Sequence, residues 1–391
     1  MRRVNVGVTY AISANQCKKF LGCLKSGRVV DHATLGATVG TGGNGGVIVD
    51  DILDYSDAYR RGLRRGDEIV SFGGRDIRTV NAFKNVLSTY PSDWRVPITF
   101  RRDGVTRSTV VRLRTLHATN ELNRMFNPPA PPRPNAEKKD DEKKDGEKKG
   151  EKKDGDKKEE APPQQQPQGP APPMPDVVAK HYEKRSGYIN YYYNKLNRDR
   201  VWNGLVKHGD FNGVPKHWAV EGELAEGGGQ VKVDLTEEIG TIVLPDGESK
   251  AAFYEELSEQ LNPPGSGGLL VALHLWQRFL TAGPDKFGEV YYEGTMPLPS
   301  SDSNEGQPMV DVLVGLHGGV QARFYFDPES GNLVGMELDA DEEVFPAEIY
   351  FSDFQKVDGR EVPFRWEVRN GEKTFAVINL KKFSTLATVE K

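Results

Sequence analysis

One segment of this chain rules out a single continuous fold. Residues 127–175 have proline-rich ends, and the stretch between them consists of lysines nearly balanced by acidic residues, without large apolar side chains. Such a composition cannot bury enough apolar surface to offset the conformational entropy that is lost on ordering. We therefore predict a disordered Pro/Lys/Glu-rich linker over residues 117–176, which acts as a flexible tether between two folded units.

The chain as a whole excludes several classes of protein. Its formal net charge of −5 over 391 residues disfavours a nucleic-acid partner. No apolar run approaches the ~20 residues of a membrane-spanning helix, so we expect no transmembrane segment. The two cysteines, Cys17 and Cys23, point to different faces of a predicted helix. We expect no disulfide between them, and they neither require nor exclude an oxidising compartment.

Three glycines have the spacing of a dinucleotide-binding loop. Gly40, Gly42 and Gly45 match G-x-G-x-x-G, which requires a strand before the glycines and a helix after them. The residues that follow, "GVIVDDIL", are β-branched and apolar, and they predict a second strand instead. We therefore expect a glycine-rich hairpin between two strands and no cofactor.

The first folded unit is predicted to alternate short strands with helices. Apolar periodicity and glycine stops indicate helices at 14–27, 57–63 and 80–90. Alternation and turn residues indicate strands at 4–13, in the hairpin, at 67–74, and in a pair within 96–113 that turns at Asp103-Gly104.

Residues 56–87 carry turn and helix signals in a specific order. The order is Ala58 in a small-residue turn, Gly62-Leu63, Gly66-Asp67 followed by Ile69, a turn at Gly73-Gly74, and a helix over 80–87. The glycines suit left-handed turns, and the aspartate can accept backbone N–H groups at the start of a strand. The pattern closely resembles a PDZ domain. We expect this domain over residues 31–116, as a small β-barrel or sandwich with two helices.

The PDZ resemblance implies a peptide-binding groove. PDZ domains bind extended peptides by strand addition, and a loop of backbone amides holds the terminal carboxylate. By this resemblance the partners are C-terminal or unfolded peptide segments. The peptide-binding residues would be Leu35, Gly36 and Ala37 in the carboxylate loop and Val80, Phe83, Lys84 and Leu87 on the groove helix. The alternative for Leu35, Val80 and Leu87 is core packing, which uses the same residue types.

The first residues extend the resemblance to a larger family. "VNVGVTYAIS", followed by a helix and the PDZ pattern, is similar to the junction between protease and PDZ domains in HtrA/Deg-like, trypsin-type serine proteases. Residues 1–30 would be the last strand and helix of a protease barrel. We favour a chain that is part of a longer protease, because an isolated barrel strand exposes an unpaired edge. The alternative is a separate protein made of the PDZ domain and its C-terminal neighbour.

The catalytic residues of that protease family have no match in the chain. None of its histidines lies in a "TAAHC"-like context, and no serine lies in "G-N-S-G-G-P". Without nucleophile, base and oxyanion hole, peptide hydrolysis lacks its machinery, so we expect no catalytic residue here. The resemblance implies a periplasmic or cell-envelope location for a full-length protein, although no signal peptide is recognisable.

The C-terminal residues, 177–391, predict an α+β unit. Good alternation indicates a mostly antiparallel sheet, interrupted by helices at 188–207, 250–261 and 269–281. The strands and turns of residues 322–368 are similar to the closing strands of lipoprotein-carrier-like (LolA/LolB-like) domains. That resemblance implies an open β-barrel around a helix, with a lipid or lipoprotein acyl chain as partner. Candidates for the cavity lining, with core packing as the alternative, are Tyr191, Tyr192, Tyr193 and Trp202.

Metal binding is not indicated. His208 and His217 flank Asp210, but the spacing of a zinc site is missing. The acidic run 339–345 lacks the ligand pattern of an EF-hand loop. We therefore predict no metal site.

Two functions follow from these interpretations. The first is PDZ-mediated peptide binding, as the substrate-recognition part of an HtrA/Deg-like serine endopeptidase whose catalytic triad is absent from this chain. The second is a non-enzymatic lipid- or lipoprotein-binding protein, or an adaptor, that acts through the C-terminal unit.

Overall fold

The computed structural model describes residues 12–126, 174–299, 307–341 and 343–386. We refer to residues 31–116 as the N-terminal unit and to residues 177–386 as the C-terminal unit. The helices up to residue 126 are α1 (Ala14–Lys25), α2 (Asp57–Arg60), α3 (Val80–Leu87) and α4 (Thr119–Phe126). The strands of this part are β1 (Ala33–Thr34), β2 (Ala37–Thr41), β3 (Val47–Ile52), β4 (Glu68–Phe72), β5 (Arg75–Asp76), β6 (Arg95–Arg102), β7 (Val105–Arg112) and β8 (Arg114–Thr115).

The N-terminal unit is built on one antiparallel sheet of order β2-β3-β4-β6-β7, with β5 paired to β4. A second, small sheet joins β1 to β8 and so brings the two ends of the unit together. Apolar side chains between the sheet and α3 form the core, with Val47, Val49 and Phe72 fully buried. The predicted hairpin, strand pair and groove helix are confirmed.

The C-terminal unit has the larger sheet. Its helices are α5 (Asp176–Ala179), α6 (Tyr191–Val206), α7 (Leu269–Ala282) and α8 (Pro284–Phe287), with a 3₁₀ turn at Leu257–Glu259. Its strands are β9 (His217–Leu224), β10 (Gln230–Leu235), β11 (Ile239–Leu244), β12 (Gly247–Ala252), β13 (Glu289–Pro297), β14 (Met309–His317), β15 (Val320–Phe326), β16 (Leu333–Asp339), β17 (Ala347–Val357), β18 (Arg360–Asn370) and β19 (Lys373–Leu386).

These strands form an 11-stranded antiparallel sheet in the order β12-β11-β10-β9-β19-β18-β17-β16-β15-β14-β13. Helix α7 contacts β11 and β12 from one half of the sheet and β16 and β17 from the other. The sheet therefore curves around α7 and buries almost every residue of this apolar helix. The predicted antiparallel sheet with an enclosed helix is confirmed, and β12 and β13 are its edges.

The two units share a continuous contact along β14. Val310, Val312 and Val314 belong to the same apolar cluster as the core of the N-terminal unit. Leu313, which points to the opposite face, belongs to the cluster around α7. Strand β14 is thus buried on both faces, because one face covers the helix and the other covers the neighbouring unit.

Helix α1 lies against the C-terminal unit as well. A Cβ on Gly22 would come within 1.8 Å of Thr295 Oγ1, and one on Gly294 within 2.8 Å of Cys23 Cα. Glycine at both positions lets α1 approach β13 at backbone distance. The strand predicted at 4–13 lies almost wholly outside the described residues.

The described residues require changes to three predictions. Residues 250–261 form β12 and a 3₁₀ turn and not the predicted helix, since pairing with β11 outweighs their helical propensity. Part of the predicted linker is helical, in α4 and at the start of α5, while residues 127–173 lie outside the described part. The predicted free tether also differs from the structure, in which the two units are in direct contact.

Cys17 and Cys23 carry free thiols, one exposed and one buried. No helix in the described part of the chain is long and apolar enough to cross a membrane.

Candidate functional site

Strand β2 is an edge of its sheet. Within the described residues it pairs with β3 on one side only, from Ala37 opposite Ile52 to Thr41 opposite Val47. Its other side carries backbone N–H and C=O groups that an additional strand can use. Helix α3 contacts β2, so this free edge runs beside a helix. We refer to the space between this free edge and helix α3 as the groove, and its geometry can accommodate an extended chain.

The turn before β2 is fixed by Gly36. Its φ of +74° lies in the left-handed region that suits glycine. Its N–H donates to Thr34 Oγ1 at 3.1 Å, and its carbonyl accepts from the Leu53 N–H at 2.8 Å. A Cβ at this position would lie 2.7 Å from Ser56 Cβ, so a larger residue has no room. Gly36 thus holds the loop at the end of the groove in one conformation.

Helix α3 presents one face to the groove and another to the core. Thr79 caps the helix by accepting from the Ala82 N–H at 3.1 Å. Val80, Lys84 and Leu87 recur at helical spacing on one face, where Lys84 is exposed and the other two are half-buried. Phe83 lies on the core side, 2% exposed, with its ring 5.1 Å from that of Phe72.

The predicted peptide-binding residues therefore divide into two sets. Leu35, which is 1% exposed, and Phe83 are core side chains that support the groove from below. The accessible or half-buried positions beside the free edge are Ala37, Val80, Lys84 and Leu87. Gly36 belongs to neither set and is buried in the turn that precedes β2.

A buried charge network joins the N-terminal unit to the C-terminal unit, and the sequence analysis did not find it. At its centre is Glu337 of β16, which is 0% exposed. Arg112 of β7 donates to Glu337 Oε2 at 2.6 Å, and Arg95 Nη2 lies 3.4 Å from the same oxygen. Burial alone would raise the pKa of Glu337, but Arg112, Arg95 and Arg323 hold that pKa well below its usual range. Glu337 is therefore ionised in the folded protein.

Further ion pairs extend this network along the contact. Arg95 also donates to Glu348 at 2.6 Å, and Arg61 donates to Glu372 at 2.9 Å. Asp57 in α2 accepts from the Arg61 side chain at 3.0 Å. Because buried charges need partners, these contacts hold the two units in one relative position.

Besides a cavity of ≈ 20 Å³ beside Arg95 and Glu348, two larger cavities flank the contact between the units. The larger measures ≈ 620 Å³ and is lined by both signs of charge, including Arg112, Arg323, Asp93 and Asp339. The arginine side chains named here are engaged by carboxylates, Arg112 by Glu337 and Arg323 by Asp339. The smaller cavity measures ≈ 190 Å³ and lies beside Asp93. Arg114 and Asp341 also line the larger cavity and make no ion pair among the described residues, so charges of both signs face it.

The interior of the C-terminal unit is filled by aromatic side chains. The ring of Phe279 of α7 stacks on Phe324 at 4.2 Å, and Trp276 stacks on Phe351 at 4.9 Å. A cavity next to Trp276 measures only ≈ 20 Å³, which holds about one water. This cavity is too small for an acyl chain.

The aromatic residues predicted to line a lipid cavity lie elsewhere. Trp202 packs edge-on against Phe279 at 5.3 Å, and Tyr191 is buried beside Tyr188. Tyr192 is half-buried, and Tyr193 is 46% exposed at the surface. These positions agree with the alternative interpretation, in which the aromatic side chains serve packing and do not line a lipid cavity.

The loop histidines are engaged by separate carboxylates. His208 pairs with Glu361 at 2.8 Å, and His217 pairs with Asp234 at 2.9 Å. Within the described ranges no group of His, Cys, Asp and Glu side chains is placed to hold a metal ion.

Comparison with known proteins shows a weak similarity to DegP-like proteases. The chain is 26% identical over 110 residues to a probable periplasmic serine endoprotease, DegP-like, of Rickettsia prowazekii (strain Madrid E), covering 25% of this chain and 21% of that protein. It is 26% identical over 134 residues to the protein of the same description from Chlamydia trachomatis serovar D, covering 31% and 27%. The chain thus spans about a quarter of the length of these curated relatives. No family model matches the chain.

Two solved structures are similar to separate parts of the chain. The HtrA3 PDZ domain bound to a phage-derived ligand (FGRWV) matches 23% of this chain and 91% of that chain, with 16% identity and a TM-score of 0.20. The LolA superfamily protein NE2245 from Nitrosomonas europaea matches 49% and 94%, with 10% identity and a TM-score of 0.29.

Proposed function

We propose that the N-terminal unit is a PDZ-like domain that binds C-terminal or unfolded peptide segments by adding them as a strand to β2. The observation that carries this proposal is the free edge of β2, which lies between the Gly36 turn and helix α3. Main-chain hydrogen bonds to β2 would provide affinity, and Val80 and Leu87 would contact apolar side chains of the peptide. Gly36 with its neighbours Leu35 and Ala37 would hold the terminal carboxylate.

We further propose that this binding serves substrate recognition in an HtrA/Deg-like serine endopeptidase. The similarity to DegP-like endoproteases supports this, although it covers only a quarter of their length. Residues 1–30 would then connect a protease barrel to the peptide-binding unit, and the location would be the periplasm. The residues of the present chain would bind the substrate, and a catalytic triad outside it would cleave the peptide.

The test is fluorescence polarisation of the full chain with labelled peptides that end in an apolar residue. Each peptide is measured with a free carboxylate and as its C-terminal amide. We expect saturable binding that is lost on amidation, because a carboxylate accepts stronger hydrogen bonds from backbone amides than a neutral amide does. Equal binding of both forms would exclude carboxylate capture, and an absence of binding to a diverse peptide set would exclude the proposed function.

The matched variant is Leu87→Glu, which places a charge on the groove face of α3. Val105→Glu serves as control, because it places the same charge on an exposed apolar residue of β7, at the opposite end of the sheet from β2. We expect the first variant to abolish the binding of apolar C-termini and the second to retain most of it. Both proteins are checked for an unchanged unfolding transition.

A further inference from the structure

Strand β3 contains one extra residue opposite β2. Thr38 pairs with Asp51 and Val39 pairs with Val49, so Asp50 is left without a partner position in β2. Such a bulge redirects the side chain of the extra residue. Val49 points into the core, whereas Asp50 is exposed on the outer face of the sheet.

The missing side chain of Gly40 lets Asp50 reach the free edge. A Cβ on Gly40 would lie 2.3 Å from Asp50 Oδ2, so the carboxylate rests over the backbone of β2. Gly42 repeats the arrangement, because its Cβ would lie 2.3 Å from Ile48 Cδ1. Among the ion pairs of the described residues, none includes Asp50. Asp50 thus lies as a carboxylate without an ion pair beside the edge where a peptide would add, and Asp51, exposed opposite Thr38, is a second.

The register of an added strand follows from the position of the carboxylate loop. If the terminal carboxylate lies at Gly36, the last peptide residue (position 0) is opposite Ala37 in an antiparallel pair. Position −3 is then opposite Gly40, and its side chain points to the outer face, as does every second residue of a strand. Directly opposed side chains lie about 5 Å apart at Cβ, within reach of the carboxylate over Gly40.

We infer that Asp50 makes the groove selective for peptides with a lysine or arginine at position −3. This inference rests on the proposed function, because it uses the register of a peptide bound at β2. A cation at position −3 would pair with Asp50, and an acidic residue there would be repelled. Since the pair is exposed, the preference for lysine over alanine should be about two- to five-fold in affinity.

The experiment measures three peptides that differ only at position −3, which is lysine, alanine or glutamate. Each is titrated into the full chain and into Asp50→Asn. The control variant is Asp103→Asn, which removes an exposed carboxylate at the β6–β7 turn, away from β2. Asparagine also tolerates the positive φ of 51° at this position.

For the parent chain and for Asp103→Asn, we expect the affinity to decrease in the order lysine, alanine, glutamate at position −3. For Asp50→Asn, we expect nearly equal affinities for the three peptides. The preference should weaken at high salt, as an exposed ion pair does. If the peptides bind through their carboxylates but Asp50→Asn keeps the same order, the inference on Asp50 is wrong and the proposed function stands. If no peptide binds, both are wrong.

Discussion

In the N-terminal unit the edge of a sheet lies open beside helix α3, whereas in the C-terminal unit the hollow of the sheet is occupied by helix α7. The first arrangement leaves backbone groups of β2 available to a partner. The second buries an apolar helix among aromatic side chains and leaves a cavity of ≈ 20 Å³. The two sheets therefore differ in what lies beside them, since helix α3 runs next to a free edge in the first and helix α7 fills the hollow of the second.

A second contrast lies within the N-terminal unit, between the side that is free and the side that contacts the C-terminal unit. Its β2 side is free, but its β6 and β7 side supplies Arg95 and Arg112 to carboxylates of the C-terminal unit. The C-terminal unit thus contacts the N-terminal unit on its β6 and β7 side and leaves the edge of β2 uncovered. Single substitutions can separate the contributions of the filled interior, the charged contact and the open groove.

The largest effect is expected from Phe279→Ala in the filled interior. Phe279 is 0% exposed and stacks on Phe324. Its truncation should lower the free energy of unfolding by about 3–5 kcal/mol, because it removes buried contacts and leaves a cavity. Chemical denaturation of the full chain measures this loss, and Phe279→Leu should lose less. A loss below about 1 kcal/mol would mean that the interior is loosely packed and open to a ligand.

Glu337→Gln should have the next largest effect, at the contact between the units. The neutral amide leaves Arg112, Arg95 and Arg323 without their shared counter-charge, at a cost of about 3 kcal/mol. The control is Glu372→Gln, whose side chain is 51% exposed, and which should cost less than about 1 kcal/mol. Equal losses of unfolding free energy in the two variants, measured by chemical denaturation, would contradict a buried network centred on Glu337.

A pH dependence of stability follows from His274 in α7. Burial lowers the pKa of His274 from 6.5 to about 3, so the folded protein keeps this imidazole neutral. The unfolded chain takes up a proton as the pH falls below 6.5, which lowers the free energy of unfolding by about 2 kcal/mol between pH 7.5 and pH 5.

His274→Phe should remove this part of the pH dependence of the free energy of unfolding, because phenylalanine takes up no proton. The variant should keep the ring stacking on Phe253. Denaturation at several pH values between 5 and 7.5 measures this dependence. An unchanged slope in the variant would show that His274 takes up its proton over the same pH range in the folded and unfolded states, so that burial does not lower its pKa.

The smallest of these effects is expected in the open groove. Leu87→Ala removes apolar contact area beside β2 and should weaken the binding of apolar C-termini about ten-fold. Leu196→Ala on α6, also an exposed-face leucine, is the control and should leave affinity unchanged. A similar loss in both variants would place the peptide outside the groove.

The sequence was most informative where signals are local. The hairpin at Gly40 to Gly46 and the turn at Asp103-Gly104 were predicted because glycine and aspartate determine such turns themselves. The helix expected at 250–261 was wrong, since strand pairing with β11 is a long-range effect. The contact between the units could not be predicted, because Arg112 and Glu337 are 225 residues apart and no pattern links them.

From the sequence, the location of the site could be predicted, but the positions of its individual side chains could not. The resemblance placed a groove at the Gly36 turn and helix α3, and the structure brings these two elements to the same edge. The resemblance could not distinguish Phe83, which is a core residue, from Lys84, which is exposed, because both were assigned by their position in the family pattern. The bulge at Asp50 depends on the register between β2 and β3, which composition does not reveal.

Amide hydrogen exchange of the full chain, with and without a saturating peptide that has a free C-terminus, tests the central claim most directly. The account predicts that the peptide slows exchange of the amides in residues 35–41 and leaves the other sheet edges, β7, β12 and β13, unchanged. Protection at β12 or β13, or in α7, with none at β2, would contradict it.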